Sequence, residues 1–188
     1  MWCDGRMTRA LHLLGAAAPP VLHMAGAVED AQARGWDVCV GVTPTAAEWL
    51  GQGGVAELER VSGHPVRWEP RRPGEGDVWS AADVIAFAPV TANSLNAWAL
   101  GLTPSWVVGA VVAGVGRRVP MVAMPCVNQV LAAHPQVDRS VAVLREAGVR
   151  VLYGEGGWVP NRPGEGRPQA FPWGFVLEVV DQEARPGQ

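Results

Sequence analysis

Hydrophobic and polar positions in this chain fall into two alternating kinds of block. Short runs of consecutive aliphatic residues occupy 9–15, 37–42, 84–88, 120–124 and 149–153. Their length and near-continuous apolar character predict five strands buried on both faces. Between them, apolar residues recur every third or fourth position. Val21, Met24, Ala25, Val28 and Ala31 predict a helix over 21–34, closed by Gly35. The same reasoning predicts helices over 46–50, 93–100, 136–147 (closed by Gly148) and 173–184. Residues 104–115 are apolar almost throughout and read as a buried helix. Two Gly- and Pro-rich stretches, 51–77 and 154–172, read as long loops, the first with a short helix at 54–61 and a short strand at 66–69. Strands alternating with helices predict an α/β fold with a mostly parallel sheet.

Two strand tips carry the most informative residues. The run at 84–88 enters Pro89-Val90-Thr91-Ala92-Asn93-Ser94 just before a predicted helix. The run at 120–124 enters Pro125-Cys126-Val127-Asn128. In open α/β sheets ligands bind at the carboxyl ends of strands, where the following helix N-termini leave N–H groups free. Two strands that each end in proline and then offer an asparagine predict one site built from neighbouring tips.

Composition narrows the picture. With 188 residues, 48% of them apolar and 18% charged, the chain reads as one globular domain over 1–188, with a core of about 9–180 and disordered ends. A net charge of −3 gives no reason to expect nucleic acid or an anionic membrane as partner. Cys3, Cys39 and Cys126 lie far apart without a CxxC, so neither a disulfide framework nor a metal site is indicated, and a cytoplasmic location is expected. The apolar run at 106–116 is too short to span a bilayer, and 11–15 reads as a core strand, not a signal peptide. Nine tryptophans accompany one tyrosine, a count that suits core packing as well as interfaces. The pentapeptide Arg-Pro-Gly-Glu-Gly occurs at 72–76 and 162–166, read as two flexible loops of similar composition.

Pro89-Val90-Thr91-Ala92-Asn93-Ser94 resembles the Pro-Ala-Ser-Ala-Asn-Thr motif of the homo-oligomeric flavin-containing cysteine decarboxylases. Residues 125–132 resemble that family's Pro-X-Met-Asn-X-X-Met-Trp motif, with Val127, Leu131 and Ala132 at the Met, Met and Trp positions. Gly164-Glu165-Gly166-Arg167 matches its Gly-X-Gly-Arg clamp, and 11–24 is similar to its flavin-phosphate end. Order and spacing agree, and the resemblance spans about 9–180.

The resemblance implies a flavodoxin-like, Rossmann-type three-layer sandwich carrying FMN at the interfaces of a homo-oligomer, a trimer or a multiple of trimers. It implies cofactor contacts from Gly15, Ala16, Ala17, Thr43, Pro89, Thr91, Ala92, Asn93 and Ser94. It implies that Asn128 meets the substrate carboxylate, and that Gly164, Gly166 and Arg167 close over the substrate. The implied reaction is oxidation of a cysteine thiol to a thioaldehyde, which acts as an electron sink for loss of the adjacent carboxylate and leaves an enethiol.

Two departures from the family pattern matter. The family histidine stands fourteen residues before the first proline of the motif, where this chain has Glu75. Glu75 is thus the candidate base in its place, or else a solvated loop residue. His64, beside Pro65, reads as an exposed loop histidine, and the next histidine is His134. No cysteine follows Cys126, whereas phosphopantothenoylcysteine decarboxylase keeps one in its clamp. These features point first to decarboxylation of a cysteine-ended peptide. Phosphopantothenoylcysteine decarboxylation and a non-catalytic flavin-binding partner remain as alternatives.

Overall fold

A computed structural model describes residues 8–70, 72–154 and 156–184; the expectation for the two ends, and Cys3, lie outside them. Five parallel strands form one sheet in the order β2-β1-β3-β4-β5: β1 (Arg9–Gly15), β2 (Trp36–Val42), β3 (Val84–Val90), β4 (Met121–Pro125) and β5 (Arg150–Val151). The helices are α1 (Met24–Ala33), α2 (Pro44–Ser62), α3 (Ala92–Ala99), α4 (Trp106–Gly116), α5 (Gln129–Ala132), α6 (Pro135–Glu146) and α7 (Trp173–Glu183). This is the α/β fold with a parallel sheet that the strand and helix periods predict, in the flavodoxin-like form that the resemblance implies.

Period-two alternation gives the sheet two apolar faces. Leu11, Leu13, Val38, Val40 and Ala86 point into a core filled by Met24 and Val28 of α1 and Val176 and Leu177 of α7. Leu14, Ile85, Phe87 and Ala123 point the other way, onto Leu95 of α3, Val111 of α4 and Leu144 of α6.

Several expected boundaries shift, each for a physical reason. The helix expected over 21–34 opens as a 3-10 turn, Pro19–His23, because the paired prolines cannot donate to a preceding turn, and α1 proper starts at Met24. The two helices expected over 46–50 and 54–61 form one element, α2, that runs to Ser62. Gly51, at φ 60° and ψ −179°, breaks α2 into two pieces, and burial of Leu58 holds the second piece despite its glycines. The strand expected at 66–69 contracts to a single bridge, Gly41 to Arg67. The four-residue α5 is too short for a period to have announced it. Helix α4 buries only one stripe (Val107, Val108, Val111, Gly114), so most of its other apolar residues remain partly exposed.

Where β1 and β2 turn their second face outward, the irregular segment 63–83 takes the place of a helix. Trp79 packs edge-on against both His12 and Trp106, at 5.0 and 5.3 Å between ring centroids. The Arg67 guanidinium lies 4.1 Å from the Trp106 ring centroid. Gly41 leaves room for this stack, since a Cβ there would stand 2.7 Å from Leu14 and 2.8 Å from Trp106. His12 Nε2 donates to the Ser80 carbonyl at 2.9 Å, and burial lowers its pKa. His64 is not the exposed loop residue its neighbours suggested: its Nε2 lies 2.6 Å from Asp37 Oδ1 and the ring is half-buried.

Both copies of Arg-Pro-Gly-Glu-Gly form the same hydrogen-bonded turn. The Glu75 N–H donates to the Arg72 carbonyl and the Glu165 N–H to the Arg162 carbonyl, each at 3.1 Å. Gly74 and Gly164 sit at φ 91° and 80°, as the third residue of a type II turn requires. Among the described residues no helix is long and apolar enough to cross a membrane.

Candidate functional site

The tips of β1, β2 and β3 are laced together by backbone. The Ala16 N–H donates to the Pro89 carbonyl at 2.8 Å, and the Thr43 N–H donates to the Gly15 carbonyl at 2.9 Å. The Ala88–Pro89 peptide is cis, and the pairing of β3 with β4 skips from Phe87 to Val90 around it.

Three helices begin beside this lacing. Thr43 caps α2 by accepting from the Ala46 N–H, Thr91 caps α3 by accepting from the Ser94 N–H, and Ser105 caps α4 by accepting from the Val108 N–H. All three caps line one cavity of about 280 Å³, joined by Ala17, Thr45, Asn93 and Ser94. No acidic residue stands in the first turn of any of the three helices. Converging helix N-termini with five hydroxyls and no carboxylate make a cradle for an anion and a polyhydroxyl chain. That donor set fits the phosphate and ribityl parts of a flavin mononucleotide. Asn93, at the second position of α3, is exposed, and among the described residues its amide has no partner.

Of the nine residues expected at a cofactor, Ala17, Thr43, Thr91, Asn93 and Ser94 meet in this cavity. Gly15, Ala16, Pro89 and Ala92 do not line it. A Cβ on Gly15 would stand 3.0 Å from Val21 and 3.3 Å from Met24, so that glycine makes room for the first helical turn. Ala16 is buried in the second core, and Pro89 serves through its carbonyl. Ser105 and Thr45 were missed, although Ser105 precedes an apolar helix as a cap should.

A second cavity, about 190 Å³, adjoins the first: Ala17 walls one and Pro19 and Pro20 the other. It brings Asn128 together with Gly164, Gly166 and Arg167, which follow it by more than thirty residues. The clamp is tied to β4's tip, since the Gln129 N–H donates to the Asn161 carbonyl at 2.8 Å. Asn128 Oδ1 accepts from the Leu131 N–H at 3.0 Å and caps α5, which leaves its NH2 group as a donor for a ligand. Trp158 forms one wall, fixed by ring contact with Phe171 and by backbone bonds to Leu152 and Gly154. Gly157 permits that course, because a Cβ there would run into the backbone of Leu152 and Tyr153. Burial raises the Cys126 thiol to about 11, so it is a neutral wall of the cavity at pH 7.

Glu75 lies elsewhere. It is exposed, its Oε2 accepts from the Arg72 N–H at 2.9 Å, and it lines a cavity of about 600 Å³ under residues 65–70. It lines neither the cradle nor the clamp cavity of its own chain. His134 caps α6, as a residue closing a turn before a helix would.

The family model described as Flavoprotein matches residues 11–184. No curated protein matches the chain. Among solved structures, the chain is similar to TvaF, an FMN-dependent cysteine decarboxylase from thioviridamide biosynthesis, with a TM-score of 0.72, 19% identity, and coverage of 94% of this chain and 98% of that one. It is similar to MrsD from a Bacillus species (TM-score 0.71, 17% identity, 95% and 97% coverage). It is also similar to a PPC decarboxylase mutant complexed with pantothenoylaminoethenethiol (TM-score 0.67, 16% identity, 93% and 97% coverage).

Proposed function

The chain belongs to the flavoprotein family, and from that premise we propose that it binds FMN and oxidatively decarboxylates the C-terminal cysteine of a peptide made on the ribosome. The observation that carries this reading is the adjacency of the two cavities. A cradle suited to a phosphate and hydroxyl chain shares the segment 17–20 with a cavity offering an amide donor, a rigid indole wall and a clamp. The structural likeness to TvaF, an FMN-dependent cysteine decarboxylase, supports a cysteine as the reacting group. The absence of any cysteine after Cys126 favours release of the enethiol unreduced.

When bound, FMN supplies a two-electron acceptor that takes the cysteine CH2–SH to a thioaldehyde, after which carbon dioxide leaves and its bonding pair enters the C=C of an enethiol. The chain's own residues do the rest. The NH2 of Asn128 orients the carboxylate without a full charge, which would stabilise the ground state against loss of carbon dioxide. Trp158, Pro19 and Pro20 exclude water from that group.

Glu75 serves as base only if a neighbouring copy delivers it, since its own turn does not face the cradle. The assembly we propose is therefore a homotrimer, or a multiple of it. Its support is the apolar surface exposed in the connection from α3 to α4, where Leu100 and Leu102 are 62% and 57% exposed. Light scattering at micromolar concentration checks the assembly, where a flavin-saturated monomer would refute it.

The deciding experiment incubates the flavin-loaded protein with a cysteine-ended peptide. A loss of about 46 Da, two hydrogens plus carbon dioxide, is expected. If the peptide is unchanged while FMN stays bound, the protein is a flavin-binding partner without this activity. If only phosphopantothenoylcysteine reacts, the substrate assignment moves to that compound.

A further inference from the structure

The clamp cavity has an unbalanced charge. Two arginines, Arg162 and Arg167, line it, and no carboxylate does. Among the described residues neither guanidinium has an ion-pair or hydrogen-bond partner. The chain's other Arg-Pro-Gly-Glu-Gly turn shows that this is not a requirement of the turn, for there Glu75 lines the same cavity as Arg72. Here Glu165 is left out of the cavity lining and the arginine is in it.

Position adds to charge. Asn161 pairs with Asn128 in a parallel bridge, so Arg162 begins one residue beyond the partner of the carboxylate-holding asparagine. Its turn is fixed by the Glu165–Arg162 backbone bond and by Gly164 at φ 80°. A cavity of about 190 Å³ is smaller than the roughly 300–1,000 Å³ of a drug-sized site, so it encloses only the end of a substrate. The arginines on its lining are exposed and therefore meet whatever precedes that end.

The carboxylate that departs is a poor ligand for two guanidinium groups. Full ion pairing would stabilise it in the ground state and would be lost as its charge disperses. We propose that Arg162, assisted by Arg167, holds a second anionic group of the substrate, carried by the unit next to the terminal cysteine. That group is an acidic side chain on a peptide or a phosphate on a smaller cysteine amide; either presents oxygens that a guanidinium binds in bidentate fashion. Arg162 is thereby a specificity-determining residue. The inference rests on the cysteine-ended substrate proposed above.

The test uses flavin-loaded protein and short peptides that differ only before the last residue: Glu, Gln, Lys or phosphoserine. One set ends in serine and reports binding by calorimetry without turnover; the other ends in cysteine and reports turnover by mass. Wild-type protein should bind the Glu and phosphoserine peptides about tenfold more tightly than Gln, with Lys weakest. Arg162→Gln should level the series while leaving the flavin spectrum unchanged, and Arg162→Lys should restore part of it. Phosphoserine well ahead of Glu identifies phosphate as the natural anion; parity identifies an acidic residue. Equal binding of Glu and Gln by wild type, or a preference that survives Arg162→Gln/Arg167→Gln, overturns the inference. If no cysteine-ended peptide loses mass yet the serine-ended series shows the arginine-dependent preference, the decarboxylation reading fails and this one stands.

Discussion

One pentapeptide, folded the same way at two places, separates what local sequence determines from what the fold determines. Arg-Pro-Gly-Glu-Gly makes the same type II turn at 72–76 and at 162–166, with the same backbone bond and the same positive φ at its first glycine. Proline at the second position and glycine at the third are enough for that. Yet in the first turn the glutamate folds back onto the arginine's N–H and lines a cavity under 65–70. In the second, Arg162, Gly164 and Gly166 line the clamp cavity and the glutamate is not among its walls. The chain sets the turn; the strand tip beside it decides which side chain has a task.

The largest effect that separates the two turns is on the glutamates. Glu75→Gln should lower decarboxylation by roughly 100-fold, the scale of a lost general base, with FMN still bound. Glu165→Gln should turn over within about twofold of wild type. Equal rates for the two variants would remove Glu75 from the reaction.

Next comes the anchor of the second turn. Asn128→Asp keeps the cap on α5, since aspartate caps as well as asparagine, but sets a negative charge against the substrate carboxylate. A rise in KM of at least about tenfold with an unchanged melting temperature is expected from like-charge repulsion at close range. If kinetics are normal, Asn128 is a cap and nothing more.

The glycines sharpen the contrast further. Gly74→Ala and Gly164→Ala each put a Cβ on a residue with positive φ and should cost similar stability, about 1 kcal/mol by thermal unfolding. Their kinetics should split: Gly164→Ala raises KM, whereas Gly74→Ala lowers kcat by displacing the glutamate.

The smallest effect is on the thiol beside the second turn. Burial raises Cys126 from 9.0 to about 11, while an unfolded chain would ionise near the ordinary value. Between those values the unfolded state has lost more protons than the native one, so stability falls as pH rises through that window. Cys126→Ser should flatten part of the fall, measured by denaturant unfolding from pH 8 to 11. Cys39, raised to about 12, accounts for more of it.

How much of this was legible in the sequence follows the same division. All five strands and their parallel sense could be read, though not their order, because buried strands are continuous apolar runs and helices keep their period. The helix at 54–61 could be read, but its junction with 46–50 was hidden by Gly51 and Gly53, whose low propensity is overridden by burial of Leu58. The motif residues Thr91, Asn93, Ser94 and Asn128 could be named, and Asn93 is free for a ligand because Thr91 takes the cap. Ser105 and Arg162 could not be assigned to a site. They reach it through tertiary crossings (α4 against the tip of β3, the clamp against β4) that no local pattern encodes. Glu75 marks the opposite case, a residue singled out by the family resemblance, at the place of the family histidine, and set apart from the cradle of its own chain.

The most direct measurement is a titration of apo-protein with FMN, followed by quenching of flavin fluorescence, in wild type and in Asn93→Ala. Asn93 neither caps α3 nor has a partner among the described residues, so its loss should leave the melting temperature of the apo-protein unchanged. Saturation at one FMN per chain is expected, with affinity weakened about tenfold in the variant, the equivalent of about one hydrogen bond. A protein that shows no saturable uptake, or one that binds FMN equally well without Asn93, would contradict the assignment of the three-capped cradle as the flavin site.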